Sequence, residues 1–238
     1  MTCTLAIGDR AYSSWSLRGW LLFDAFGIPV TLRQARLHTD ELPRLLAAEF
    51  APARSVPALR LADGAVVMDS LAIAEELASR HPEAGHWPAD PAHRAAARSL
   101  AAEMHAGFQA LRSHCPMNLR ASYTDCAPPA EVLADLARLE AIWAWARETT
   151  GSPGPWLCGA YSAADVFHAP VATRIATYNL PVGPAAQAYV DAHLSHPSFR
   201  RWRAAGLEDG ADQPFYRRDY QRRPWPGPQE AGEPIHDS

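Results

Sequence analysis

Lysine is missing altogether: the 22 basic residues of this 238-residue chain are all arginine. That absence removes Schiff-base chemistry on a lysine amine, the phosphate-binding lysine of P-loops and the lysine of protein kinases together. Cysteine is scarce. Cys3, Cys115, Cys126 and Cys158 are scattered, form no Cys-x-x-Cys pair and match no zinc spacing. That pattern implies free thiols in a reducing compartment and no metal cofactor. Long apolar runs are lacking too, and none approaches the ~20 residues that span a bilayer. No charged-then-apolar leader precedes the first strand, so the expected setting is cytoplasmic, with no membrane partner. The formal charge of −4 leaves no basic footprint, which argues against nucleic acid as a partner. What is present is an ordinary globular composition, 48% hydrophobic and 20% charged, in a chain long enough for two small domains.

Residues 1–81 mix strand and helix signals. Thr4–Ile7 and Val30–Leu32 are short β-prone runs on either side of a helix that begins after Ser13-Ser14 and stops at Gly27-Ile28-Pro29. Leu42–Phe50 reads as a short helix. Two apolar runs, Val56–Leu61 and Ala65–Met68, flank Asp63-Gly64, the strongest short hairpin signal available. Ser70–Arg80 is helical, with Leu71, Ala74 and Leu77 on one stripe. The order is βαβ, helix, hairpin, helix.

Residues 82–91 are proline-rich and aperiodic, and they read as a linker. Beyond it, residues 92–207 read as helices over Ala92 to about Ala121, Ala130–Thr149, Ser162–Tyr178, Pro184–Leu194 and Ser198–Leu207. Ser162-Ala163-Ala164-Asp165 has the form of a capping box, which makes Asp165 structural. Residues 208–238 form an extension rich in Gly, Pro and charge, expected to be partly disordered over its last dozen residues. Phe215, Tyr216, Tyr220 and Trp225 are placed to lie across the domain surface.

Three short elements carry the chemistry. A helix opened by serines offers backbone N–H groups, the favourable end of a dipole and hydroxyl donors, all of which stabilise an anion. Ser13 and Ser16 stand at the spacing of a redox Cys-x-x-Cys, so dithiol exchange is excluded there. What remains at that helix start is a hydroxyl donor. At Val56-Pro57 a cis bond is available at little cost, and it would turn the Val56 backbone outward for an extended peptide. At Asp69-Ser70 a strand gives way to a helix whose first N–H groups face outward. Each of these residues, taken alone, is equally a cap or an edge-strand proline.

Taken together and in order, they resemble the cytosolic glutathione transferase superfamily, in particular its serine-using zeta and theta classes. Ser13-Ser14-Trp15-Ser16 looks like the zeta-class Ser-Ser-Cys-Ser, and Asp69-Ser70-Leu71-Ala72-Ile73 looks like Gln-Ser-Leu-Ala-Ile. The resemblance implies an α/β thioredoxin-like N-terminal domain that binds glutathione, followed by an all-α domain that holds an electrophile. It implies a glutathione transferase, with the catalytic serine at Ser13 and Ser14 as the second candidate. It assigns glutathione binding to Val56, Pro57, Asp69, Ser70 and His38. Asp69 is shorter by one methylene than the Glu or Gln usually found there. The electrophile is assigned to Trp15, Met104, His105 and Phe108, with Met117 a further candidate, and Arg18 is either an attractor of a carboxylate-bearing substrate or a surface charge. Two alternatives stay open: a glutathione-dependent cis-trans isomerase, and a non-catalytic binding protein of the same fold. The resemblance also implies a homodimer.

Overall fold

The computed structural model describes residues 2–228. Four strands form one sheet: β1 (Cys3–Ile7), β2 (Val30–Gln34), β3 (Ala58–Arg60) and β4 (Val66–Met68), in the order β2-β1-β3-β4. β1 runs parallel to β2 and antiparallel to β3, and β3 and β4 close the Asp63-Gly64 hairpin. The period-2 pattern of a strand sorts the side chains. Leu5 and Ile7 join the main core, whereas Ala6 faces the smaller cluster of Leu46, Phe50 and Ala58. The main core includes residues of α1 (Ser14–Asp24) and α3 (Ser70–Arg80), and the smaller cluster belongs to α2 (Glu41–Glu49).

The helical half comprises α4 (Pro91–Ala106), α5 (Gln109–His114), α6 (Ala130–Thr150), α7 (Ala163–Tyr178), α8 (Pro184–Ser195) and α9 (Pro197–Glu208). Every residue of α7 is buried, the polar side chains of Asp165, His168, Thr173, Arg174 and Thr177 included. It packs against α1, α4 and α8 and so ties the two halves together. The box at its start is formed. Asp165, fully buried, accepts from the Ser162 and Leu157 N–H groups and from the Ser162 and Tyr189 hydroxyls.

One long helix expected from Ala92 to about Ala121 is in fact two. Gly107 is extended, and Phe108 sits in the left-handed region at φ 59°. A Cβ on Gly107 would lie 2.9 Å from the Glu103 carbonyl oxygen, so a larger residue is resisted there. The alanine-rich periodicity runs straight through this break and hides it. The Arg112 guanidinium then turns back to donate to the Met104 and His105 carbonyls, capping the end of α4.

After α9 the chain returns across the N-terminal half. Asp209 pairs with Arg10 at 2.8 Å, Gln213 donates to Asp9 and to the Leu37 carbonyl, and Tyr216 stacks on Tyr12 at 4.5 Å. Trp225 is buried. Of the last dozen residues expected to lack fixed structure, 229–238 lie outside the described residues. Among the described residues no helix is long and apolar enough to cross a membrane.

Candidate active site

A cavity of about 540 Å³ opens between the two halves at the start of α1. Ser13, Ser14 and Trp15 form one wall, with Arg54, Ser55, Val56 and His38 beside them. Gln109, Arg112, Pro116, Met117 and Arg174 come from the helical half, and Phe215 and Tyr216 from the returning C-terminal segment. None of the lining residues is acidic.

The two serines are held differently. Ser13 is the N-cap of α1: its Oγ accepts from the Ser16 N–H at 3.2 Å and donates to Ser16 Oγ at 2.8 Å. Ser16 Oγ in turn accepts from the Gly8 N–H. Ser14, half-buried at the first helical position, has its Oγ 3.3 Å from Arg174 Nη2, which donates to it. Its own proton is therefore free to be given away. The first N–H groups of the helix also lack intrahelical acceptors.

Arg174 is nearly fully buried and is anchored by the Cys115 and Pro170 carbonyls, not by a carboxylate. Burial, and then the neighbouring Arg112, pull its pKa down to about 10, so it remains charged at neutral pH. Arg18, expected as a surface charge or a substrate attractor, is instead buried and pointed at protein. It donates to the Phe167 carbonyl and lies over the rings of Trp15 and Phe167. Desolvation and the charges of Arg112 and Arg174 push its pKa well down. Arg112 also lies over Trp15, so that indole has a guanidinium 4.7 Å and another 4.9 Å from its ring centre.

The second and third elements fall beside the first. The Val56–Pro57 bond is cis, and Val56 lines the cavity. Pro57 packs directly on α1 at Gly19, where an added Cβ would meet the proline Cβ at 2.6 Å. Asp69 and Ser70 do not line the cavity. Asp69, at φ 78°, caps α3 by accepting from the Leu71 N–H, and Ser70 is fully buried with no partner for its hydroxyl among the described residues.

Two substrate residues fall elsewhere. Met104 is fully buried and Phe108 nearly so, both in the main core, because the turn at Gly107 directs Gln109 and Arg112 to the cavity instead. His105 stands between, 3.2 Å from Asp69 and edge-on to Trp15. His38 faces Phe215 and Tyr216 across the cavity mouth. Sequence reasoning missed Arg54, Arg112, Arg174 and Gly19.

Residues 12–80 match the family model described as "Glutathione S-transferase, N-terminal domain". Residues 12–80 are thus similar to the N-terminal domain of glutathione S-transferases. Solved structures extend the likeness in fold beyond that domain into the helical half. Glutathione transferase Omega 2S from Trametes versicolor is 20% identical over 91% of this chain and 99% of its own, with a TM-score of 0.66. A glutathione transferase homologue from Burkholderia GL BGR1, with bound glutathione, is 21% identical over 87% of this chain and 100% of its own, at TM-score 0.65. A maleylacetoacetate isomerase from Anaeromyxobacter dehalogenans 2CP-1, with dicarboxyethyl glutathione and citrate in its active site, is 23% identical over 89% and 98%, at TM-score 0.62. No curated protein matches the sequence.

Proposed function

We propose that this protein is a serine-type glutathione transferase. It activates the thiolate of bound glutathione for attack on a small electrophile held in the cavity. The observation that carries this reading is the Ser14 hydroxyl, fed by the Arg174 guanidinium and set beside the open N-terminus of α1. A free thiol has a pKa of ~8.5, and a hydroxyl donor, a helix dipole and a nearby cation each favour its ionised form. Because Ser13 already gives its proton to Ser16, Ser14 is the donor to sulfur and Ser13 the organiser of the helix start. In the reaction the thiolate sulfur forms the new C–S bond, and the electrophile's leaving group departs with the displaced electron pair. Val56, Pro57, Asp69 and Ser70 hold the peptide, with His38 at its glycyl end. Trp15 and Met117 bound the electrophile. The reading includes a cytoplasmic homodimer that uses no metal.

A second reading, glutathione-dependent cis-trans isomerisation, is favoured by charge. Arg54, Arg112 and Arg174 line a cavity without a carboxylate, which suits an anionic electrophile, and the Anaeromyxobacter isomerase holds dicarboxyethyl glutathione and citrate. Addition of glutathione to a double bond, rotation and expulsion of glutathione would then leave no net conjugate. Retention on glutathione resin, followed by assays with chlorodinitrobenzene and with a maleyl-type acid, tests both. Failure to bind glutathione in any assay rejects the enzyme and leaves a protein of the same fold with another ligand. A monomer mass in light scattering at micromolar concentration rejects the dimer.

A further inference from the structure

Asp69 and His105 meet across the two halves of the molecule, with Asp69 Oδ2 and His105 Nε2 3.2 Å apart. Asp69 is an unusual residue for its place. Its φ of 78° is a region that non-glycine residues seldom occupy, and such a backbone persists only where its surroundings hold it. One oxygen, Oδ1, is committed to its own helix through the Leu71 N–H at 2.8 Å. The other is free to swing unless something outside α3 fixes it. His105 does so from the last turn of α4.

The histidine is itself fixed. Its backbone carbonyl accepts from Arg112 at 3.0 Å, and its ring stands edge-on to Trp15, with centroids 5.3 Å apart and planes at 77°. A carboxylate has about four acceptor sites. With the Leu71 N–H counted on Oδ1 and the His105 ring packed against Oδ2, each oxygen of Asp69 retains room for one more donor. Beside it the fully buried Ser70 hydroxyl has no partner among the described residues. A carboxylate with spare acceptor sites next to an unpaired hydroxyl and a helix N-terminus suits one kind of ligand group. That group is an ammonium and a carboxylate on the same carbon, as at the γ-glutamyl end of glutathione.

We propose that His105 is a positioning residue for glutathione: it sets the Asp69 carboxylate to receive the γ-glutamyl ammonium. This inference rests on the glutathione site proposed above. It explains how an aspartate, one methylene short, still serves there: the residue that steadies it comes from the other half of the chain. It also joins the two ends of the site. The ring that steadies Asp69 is in contact with Trp15, which lies next to Ser14.

The test compares glutathione with an analogue in which a glutaryl group replaces γ-glutamyl, so that only the ammonium is lost. Binding of both is measured calorimetrically to wild type, His105→Ala and His105→Gln, whose side-chain amide can take the place of the imidazole against Asp69. His105→Ala should weaken glutathione about tenfold, the scale of one hydrogen bond to a charged group, with His105→Gln recovering most of the loss. The analogue should bind wild type and both variants alike, because the group that Asp69 serves is gone. Equal losses for glutathione and the analogue would mean that His105 merely shapes the site and would overturn the proposal. So would unchanged glutathione binding in His105→Ala. If wild type binds neither compound, the glutathione site itself is refuted, and the role of His105 falls with it.

Discussion

Arg174 Nη2 donates to Ser14 Oγ at 3.3 Å, joining the buried central helix of one half to the first helical residue of the other. The arginine cannot swing away, because the Cys115 and Pro170 carbonyls hold its remaining nitrogens. A guanidinium on one lone pair of a hydroxyl polarises its O–H bond, and chains of hydrogen bonds strengthen one another where water is scarce. Ser13 has no such neighbour. Its hydroxyl closes a local loop with Ser16.

Ser14→Ala should therefore slow conjugation roughly 10- to 100-fold, the range of 1.5–3 kcal/mol for a hydrogen bond to a charged partner. Ser13→Ala should cost about 1 kcal/mol of stability as a lost N-cap, with the smaller loss of rate. Steady-state rates and thermal melts of the two variants side by side decide the assignment. If Ser13→Ala is the inactive variant and Ser14→Ala is not, the donor is the cap residue.

Ser70→Ala is expected to weaken glutathione by about 1.5–3 kcal/mol while leaving the affinity for an apolar second substrate almost unchanged. The hydroxyl is buried without a partner among the described residues, so its removal breaks no hydrogen bond seen there. Calorimetric titration with glutathione reads the loss, and unchanged affinity would remove Ser70 from the site.

Gly19→Ala tests how the loop at Val56 is placed. Its added Cβ would come within 2.6 Å of Pro57 Cβ, so α1 and the loop must part. Overpacking of this kind costs about 1–3 kcal/mol. We expect a lowered melting temperature together with weaker glutathione binding, since the displaced loop carries Val56. A variant that binds and melts like wild type would show that the contact does not govern the site.

Acid should loosen the helical half first. His168 in α7 is fully buried with Nδ1 on the Ala164 carbonyl, and desolvation drives its pKa down to about 4. His193 and His196 are likewise lowered by burial. A histidine held neutral in the fold but free to charge when unfolded favours unfolding once the pH drops below the unfolded value of ~6.5. Its stabilising contribution is therefore intact above that pH and is lost progressively down to the folded value. Urea midpoints should fall between pH 6.5 and about 4, and His168→Gln should flatten that slope. A midpoint independent of pH over this window would count against the buried neutral histidines.

Much of the fold was legible because its signals are local. The Asp63-Gly64 turn, the serine-opened α1 and the Ser162–Asp165 box each act within a few residues. The break at Gly107-Phe108 was not, because an alanine-rich stripe suits one helix as well as two. Of the residues that line the cavity, Ser13, Ser14 and Val56 could be named from sequence, since each sits at the end of an element. Arg112 and Arg174 could not. Their positions depend on how α5 and α7 pack, and nothing within a few residues says which way a guanidinium points. Met104 and Phe108 fail for the converse reason: helical spacing places them on a face, and packing turns that face to the core.

The most direct test of the account is the ionisation of glutathione bound to the protein, followed by thiolate absorbance as pH is raised, in wild type and in Ser14→Ala. The account predicts that the bound thiol ionises about one to two units below the free value of ~8.5, and that Ser14→Ala returns it most of the way. A bound thiol that titrates as it does in free solution would contradict it.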